Sequence, residues 1–141
     1  MQQGASQKEG ITLIEIMIAI TVLSIGILGL LQAFPRGTAA SRVVELSVAA
    51  NQLAQEKLES FAATAYEDIA AGMLEDGVRV SVDSQSPFYD FLRTTTVALL
   101  DANLAEAQTD LGLKKITVTV EWPYPIGGGT GSNTLITLRS R

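Results

Sequence analysis

Two residue types are missing altogether: the 141-residue chain has no cysteine and no histidine. Without cysteine there is no disulfide, so any part held outside the cytoplasm folds without that staple. Without histidine, catalysis by His-based triads or dyads is excluded, and the usual general base near neutral pH and the commonest metal ligand are both lacking. Basic residues are also few, and the formal charge is −5. With Lys8, Glu9 and Glu15 set aside, residues 36–141 hold 9 basic and 13 acidic side chains, a balance of −4. That argues against a broad nucleic-acid surface, which needs clustered Lys and Arg, and leaves open only a local site.

Against these absences stands one long apolar run. From Ile16 to Phe34 there are 19 residues without a formal charge. As a helix rising ~1.5 Å per residue they span ~28 Å, about the hydrocarbon thickness of a bilayer. One carboxylate, Glu15, stands at the head of the run. A charge costs roughly 2.5–3.5 kcal/mol near a bilayer centre and less at its edge, so Glu15 belongs in the interfacial zone or against a partner. Met1 to Gly10 is polar and rich in Gln, Gly and Ser, with Lys8 offset by Glu9. Arg36 and Arg42 flank the other end, so charge alone favours a cytoplasmic N-terminus only slightly. A secretory signal has an apolar core of about 7–15 residues, shorter than this run, although Thr38-Ala39-Ala40 would pass as its cut site. A plain anchor with an incidental Glu is the other simple reading.

The string Gly10-Ile11-Thr12-Leu13-Ile14-Glu15, opening onto that run, resembles the class III signal of type IV prepilins and type II secretion pseudopilins. The resemblance implies a leader, Met1 to Gly10, cut from Ile11 by prepilin peptidase. It also implies methylation of the new Ile11 amine and use of Glu15 in assembly. Ile11 departs from the usual Phe or Met, and the lack of cysteine departs from the stapled C-terminal loop of many pilins. After the cut, Ile11 and Glu15 are expected four apart on one helix, close enough to interact; in the resembling family the carboxylate instead meets a neighbour's amine. The order of a long helix and then a C-terminal meander looks like a minor pilin of a type IV pilus. The alternative is a minor pseudopilin of type II secretion, and a third reading is a membrane-anchored binding module or enzyme. The implied partners are prepilin peptidase, other pilin or pseudopilin subunits, an inner-membrane assembly platform and the lipid bilayer. The implied location is a single pass of the inner membrane with the C-terminal domain outside, then a pilus or periplasmic pseudopilus. The mature N-terminus separates these readings from the simpler ones: Ile11 for the leader cut, Ser41 for a secretory cut, Met1 for an anchor.

The residues lay out as a leader 1–10, a membrane and assembly helix 11–35, and a soluble domain 36–141. Gly26 and Gly29 each weaken a helix by ~1 kcal/mol relative to Ala. Pro35 removes a backbone bond and Gly37 follows, so 26–37 is the softest part and is expected to bend or melt on assembly. Gly29, Ala33, Gly37 and Ser41 form a ridge of small side chains that allows close helix approach, a feature also common in membrane helices generally. From Thr38 to about Ala65 the pattern turns amphipathic, with Leu46, Ala50, Leu53, Leu58 and Phe61 near one face. Tyr66 to Gly77 reads as a loop with one helical turn first. Val78, Val80 and Val82 alternate with polar residues and predict a half-buried strand. Phe88–Leu99, Lys114–Trp122 and Asn133–Leu138 are further strands, the last with Ile136 and Leu138 on one side. Residues 100–112 suit either a short helix or a loop. The predicted fold is α+β: one long helix on a four-stranded antiparallel meander, sheet about 78–139.

Other chemistry is thin. Asp101-Ala102-Asn103 begins like a calcium loop, but Ala105 and Glu106 stand where an oxygen ligand and a Gly belong. Gly127-Gly128-Gly129-Thr130-Gly131-Ser132 lacks the Lys of a phosphate loop and reads as a hairpin. Glu56/Glu59 and Glu75/Asp76 read as solvated surface. Tyr124, beside Trp122, is a packing or turn residue with a ligand contact as its rival reading. No cofactor, metal or catalytic residue is expected.

Overall fold

The computed structural model describes residues 11–125 and 127–141, with the backbone alone for 33–36. One helix, α1 (Leu13–Ala62), is followed by a 3₁₀ turn at Tyr66–Asp68. Four strands follow: β1 (Gly72–Arg79), β2 (Leu92–Leu100), β3 (Leu113–Pro123) and β4 (Thr130–Ser140). They pair antiparallel in the order β1-β2-β3-β4, the meander expected. The chain divides into two compact units, one up to Thr38 and one from Ala39 on.

In the second unit, α1 buries Ala50, Leu53, Ala54 and Phe61, with Leu46, Ala49 and Leu58 at the rim. These sit on one face at helical spacing, and Ala, Leu, Gln, Glu and Lys around them are good helix formers. The sheet answers with Val97, Ile116, Val118, Val120 and Trp122, all buried. Strand β3 alternates strictly: 114, 116, 118, 120 and 122 are buried, while Glu121 is exposed. Each large apolar side chain so buried contributes about 1.5–3 kcal/mol. The helix stops at Ala62, three residues short of expectation. Arg139 Nη2 donates to the Thr64 carbonyl there, 3.2 Å away, placing a cation at a helix C-terminus. Lys114 turns inward and Nζ donates to the carbonyls of Tyr66 (2.9 Å) and Ile69 (2.7 Å). It also lies over the Tyr66 ring, so a buried charge holds the turn that follows the helix. Burial, and then the Asp110 carboxylate that accepts from its hydroxyl, pushes the Tyr66 phenol up to about 12.

Three expectations need correction, and the open choice at 100–112 is decided. The stretch 72–77 is strand, not loop, and β1 ends where 78–83 was expected to run. Val80 donates its N–H to the Phe91 carbonyl, but Val82 is 96% exposed and outside the sheet. Gly72 and Gly77, both at positive φ, open β1 and shift its register instead of marking a loop. Strand β2 begins at Leu92, because Phe88–Asp90 turn over Ser86 so that Phe91 can enter the core with Phe88 edge-on to it. Residues 101–112 carry no helix: the Asp101 carboxylate accepts the Asn103 and Ala105 amides and folds the segment into a loop. Finally, Ile136 and Leu138 share a face, but it is the open one. Pairing of Val118 with Leu135 sends Leu135 towards the helix and leaves Ile136 60% exposed.

Glu75, read from sequence as solvated surface, is a clamp. Its carboxylate accepts two hydrogen bonds from Arg93 at 2.9 Å, one from Thr95 at 2.6 Å and one from Lys57 at 3.0 Å. It therefore joins β1 to β2 and to α1. Burial alone pushes this carboxyl up, but the Arg93, Thr95 and Lys57 bonds outweigh it and hold it at about 2. A depressed carboxylate contributes stability above its ordinary pKa and loses it as pH falls towards the folded value. Stability of the domain is thus expected to drop by about 2 kcal/mol between pH 5 and pH 2 through this group. Chemical denaturation of wild type and Glu75→Gln across that range checks it: the variant starts lower by about 3 kcal/mol at pH 7 and shows a flatter pH profile.

Candidate processing and assembly segment

The first unit is built on the apolar run. The α1 residues from Ile16 to Leu31 include eleven large apolar side chains that are all exposed. The helix is long and apolar enough to cross a membrane. Its few hydroxyls are spent internally: Thr21 Oγ1 donates to the Met17 carbonyl (2.8 Å) and Ser24 Oγ to that of Ile20 (2.7 Å). Polar groups satisfied in this way cost little in lipid.

The helix starts at a defined residue. Ile11 and Thr12 precede it, and among the described residues the first bond of its ladder runs from the Ile16 N–H to the Thr12 carbonyl. Thr12 Oγ1 accepts the Glu15 N–H at 3.3 Å. Thr12 is therefore the N-cap, and Thr12-Leu13-Ile14-Glu15 has the spacing of a capping box. Glu15 lies in the first turn, where a carboxylate is favoured by the helix dipole. It is exposed, and no described residue pairs with its side chain. Ile11 is 74% exposed.

In the uncut chain Ile11 stands ahead of the helix and Glu15 on its first turn, with the Thr12 cap between them. Of the other residues singled out in the sequence, Gly26, Gly29 and Gly37 lie within α1, each with open space where a Cβ would stand. Pro35 falls inside the same helix. Gly10 and the rest of 1–10 lie outside the described residues. The Thr12 cap was overlooked in the sequence, although Thr-x-x-Glu before an apolar run is its signal.

Among the described residues no cluster of His, Cys, Asp and Glu could hold a metal. The shallow pocket of about 210 Å³ beside Trp122 is lined by Arg79, Asp90 and Glu121, and Tyr124 is not part of it. Arg79 is spent on the Tyr89 carbonyl and the Asp90 carboxylate.

Residues 5–31 match the family described as the prokaryotic N-terminal methylation motif. No curated protein and no solved structure matched the chain. The N-terminal segment is thus similar to the class III signal of type IV pilin-like proteins over 27 of the 141 residues, and its α1 residues belong to a helix long and apolar enough to cross a membrane.

Proposed function

We propose that the chain is a structural subunit, a minor pilin, of a type IV pilus. Prepilin peptidase cuts between Gly10 and Ile11 and methylates the new amine. The subunit waits in the inner membrane with residues 36–141 outside. An assembly platform then moves it into the filament or its initiating complex, where other pilin subunits replace lipid around the apolar helix. The observation that carries this reading is the methylation motif over 5–31 with Glu15 on the first turn of α1, followed by apolar side chains that are exposed from Ile16 to Leu31. With the Ile11 amine held off the helix by the Thr12 cap, Glu15 is left to accept a neighbour's amine. On entry into the filament the stretch with Gly26, Gly29, Pro35 and Gly37 loosens. The helix there already gives up one bond at Pro35, which has no N–H to donate.

Gly10→Val tests the cut. A branched side chain at the residue before the cut is expected to abolish processing, and intact-mass measurement reads it directly. A mature chain starting at Ile11 in that variant overturns the cut-site assignment. Shearing the cells tests the destination: processed protein in surface fibres fits the pilus. Processed protein that stays in the envelope points to the alternative, a minor pseudopilin of type II secretion, which bears the same signal. Turnover of any substrate by residues 36–141 would instead favour a membrane-anchored enzyme.

A further inference from the structure

The start of α1 decides whether the bond to be cut is free or tied into a helix. We propose that Thr12 is a positioning residue for cleavage, holding the helix start downstream of the Gly10–Ile11 bond; this rests on the processing reading above. Hydrolysis of that amide adds one water and leaves a carboxylate on Gly10 and an ammonium on Ile11. The peptidase must reach and polarise the Gly10 carbonyl for this. In an α-helix, that carbonyl would accept the Ile14 N–H and be bound to its own coil. With Thr12 as cap, the ladder opens at the Thr12 carbonyl, with Ile16 as its donor. Ile11, on the near side of the bond to be cut, is thereby left outside the helix.

The cap has competitors in the sequence. Gly10 is itself an acceptable N-cap. Further upstream, Ser6-Gln7-Lys8-Glu9 repeats the Ser/Thr-x-x-Glu spacing of Thr12-Leu13-Ile14-Glu15. A helix begun at either place would carry the Gly10 carbonyl into its ladder. The Thr12 hydroxyl, bonded to the Glu15 N–H, tips the choice. Because Thr12 acts through backbone placement, other capping side chains can replace it, and a shape-matched side chain without a capping oxygen cannot.

The experiment follows the full-length precursor in membranes containing prepilin peptidase and measures the rate at which the Ile11-start product appears. Thr12→Val is expected to insert as wild type does and to be cut about fivefold more slowly, the factor an N-cap is worth. Thr12→Ser and Thr12→Asn, both capping, are expected within about twofold of wild type. Wild-type rates for Thr12→Val overturn the inference, as does Thr12→Asn being cut as slowly as Thr12→Val, since Thr would then be read by shape. Failure of the wild-type chain to be cut after Gly10 sinks the processing reading itself, a separate result.

Discussion

Glu15→Val is expected to leave the chain in the membrane and to remove it from sheared fibres. The variant has no charged residue from Ile11 to Phe34, so its insertion is no worse than that of the wild type. In the mechanism proposed above, what it loses is the acceptor for an incoming ammonium. Among packed apolar helices the dielectric is low, and an ammonium left without its carboxylate costs about 3–5 kcal/mol. At about 1.4 kcal/mol per factor of ten, the ratio of fibre to membrane protein should fall on the order of a hundredfold or more. Glu15→Gln keeps the shape and an acceptor oxygen but not the charge, and should fall between the two. Quantitative blotting of sheared and membrane fractions, with the mature mass confirmed in both, reads the ratio. Wild-type amounts of Glu15→Val in fibres would remove the carboxylate from the assembly mechanism, because no described residue of the same chain offers it another task.

What could be read from the chain follows how local each signal is. The run from Ile16 and the stripe Leu46, Ala50, Leu53 and Phe61 depend on spacing within one element, and both were found in the places expected. So was β3, whose two faces meet core and solvent and therefore alternate strictly. Glu75 was misread because nothing near it in sequence announces its partners. Lys57 comes from the helix and Arg93 and Thr95 from the next strand. Val78-Arg79-Val80-Ser81-Val82 alternated as a strand should, yet its tail lies outside the sheet. A register set by Gly72, Gly77 and the Glu75 clamp ended β1 first. The parity of β4 failed for a similar reason. Ile136 and Leu138 are a more apolar pair than Leu135 and Thr137, which alternate with them, and only pairing with Val118 shows that Leu135 is on the inward side. The Thr12 cap is the opposite case: its signal was local, but it sits inside the string that carries the family resemblance and was read as part of that.

Gly131→Ala is expected to cost the domain more than its single methyl suggests. Gly131 pairs with Trp122 across β3 and β4 and is buried. A Cβ there would stand 2.5 Å from Trp122 Cε2 and 2.6 Å from Cζ2. The indole cannot simply swing aside. It is 3% exposed and stacked on Phe91 at 6.4 Å, and Phe91 in turn is 2% exposed. The backbone at Gly131 is not in the left-handed region, so the demand for glycine is one of space alone. Overpacking of this kind costs about 1–3 kcal/mol, a large part of the stability of a domain this size. At about 4–8 °C per kcal/mol, the melting temperature of the detergent-solubilised chain should fall by roughly 4–24 °C. The second variant locates the cause. Trp122→Leu empties the space and is destabilising by itself, but in that background Gly131→Ala should cost less than 1 kcal/mol. Equal costs in both backgrounds would mean that the glycine is required by the strand and not by the ring, and that Trp122 does not set the packing at this end of the sheet.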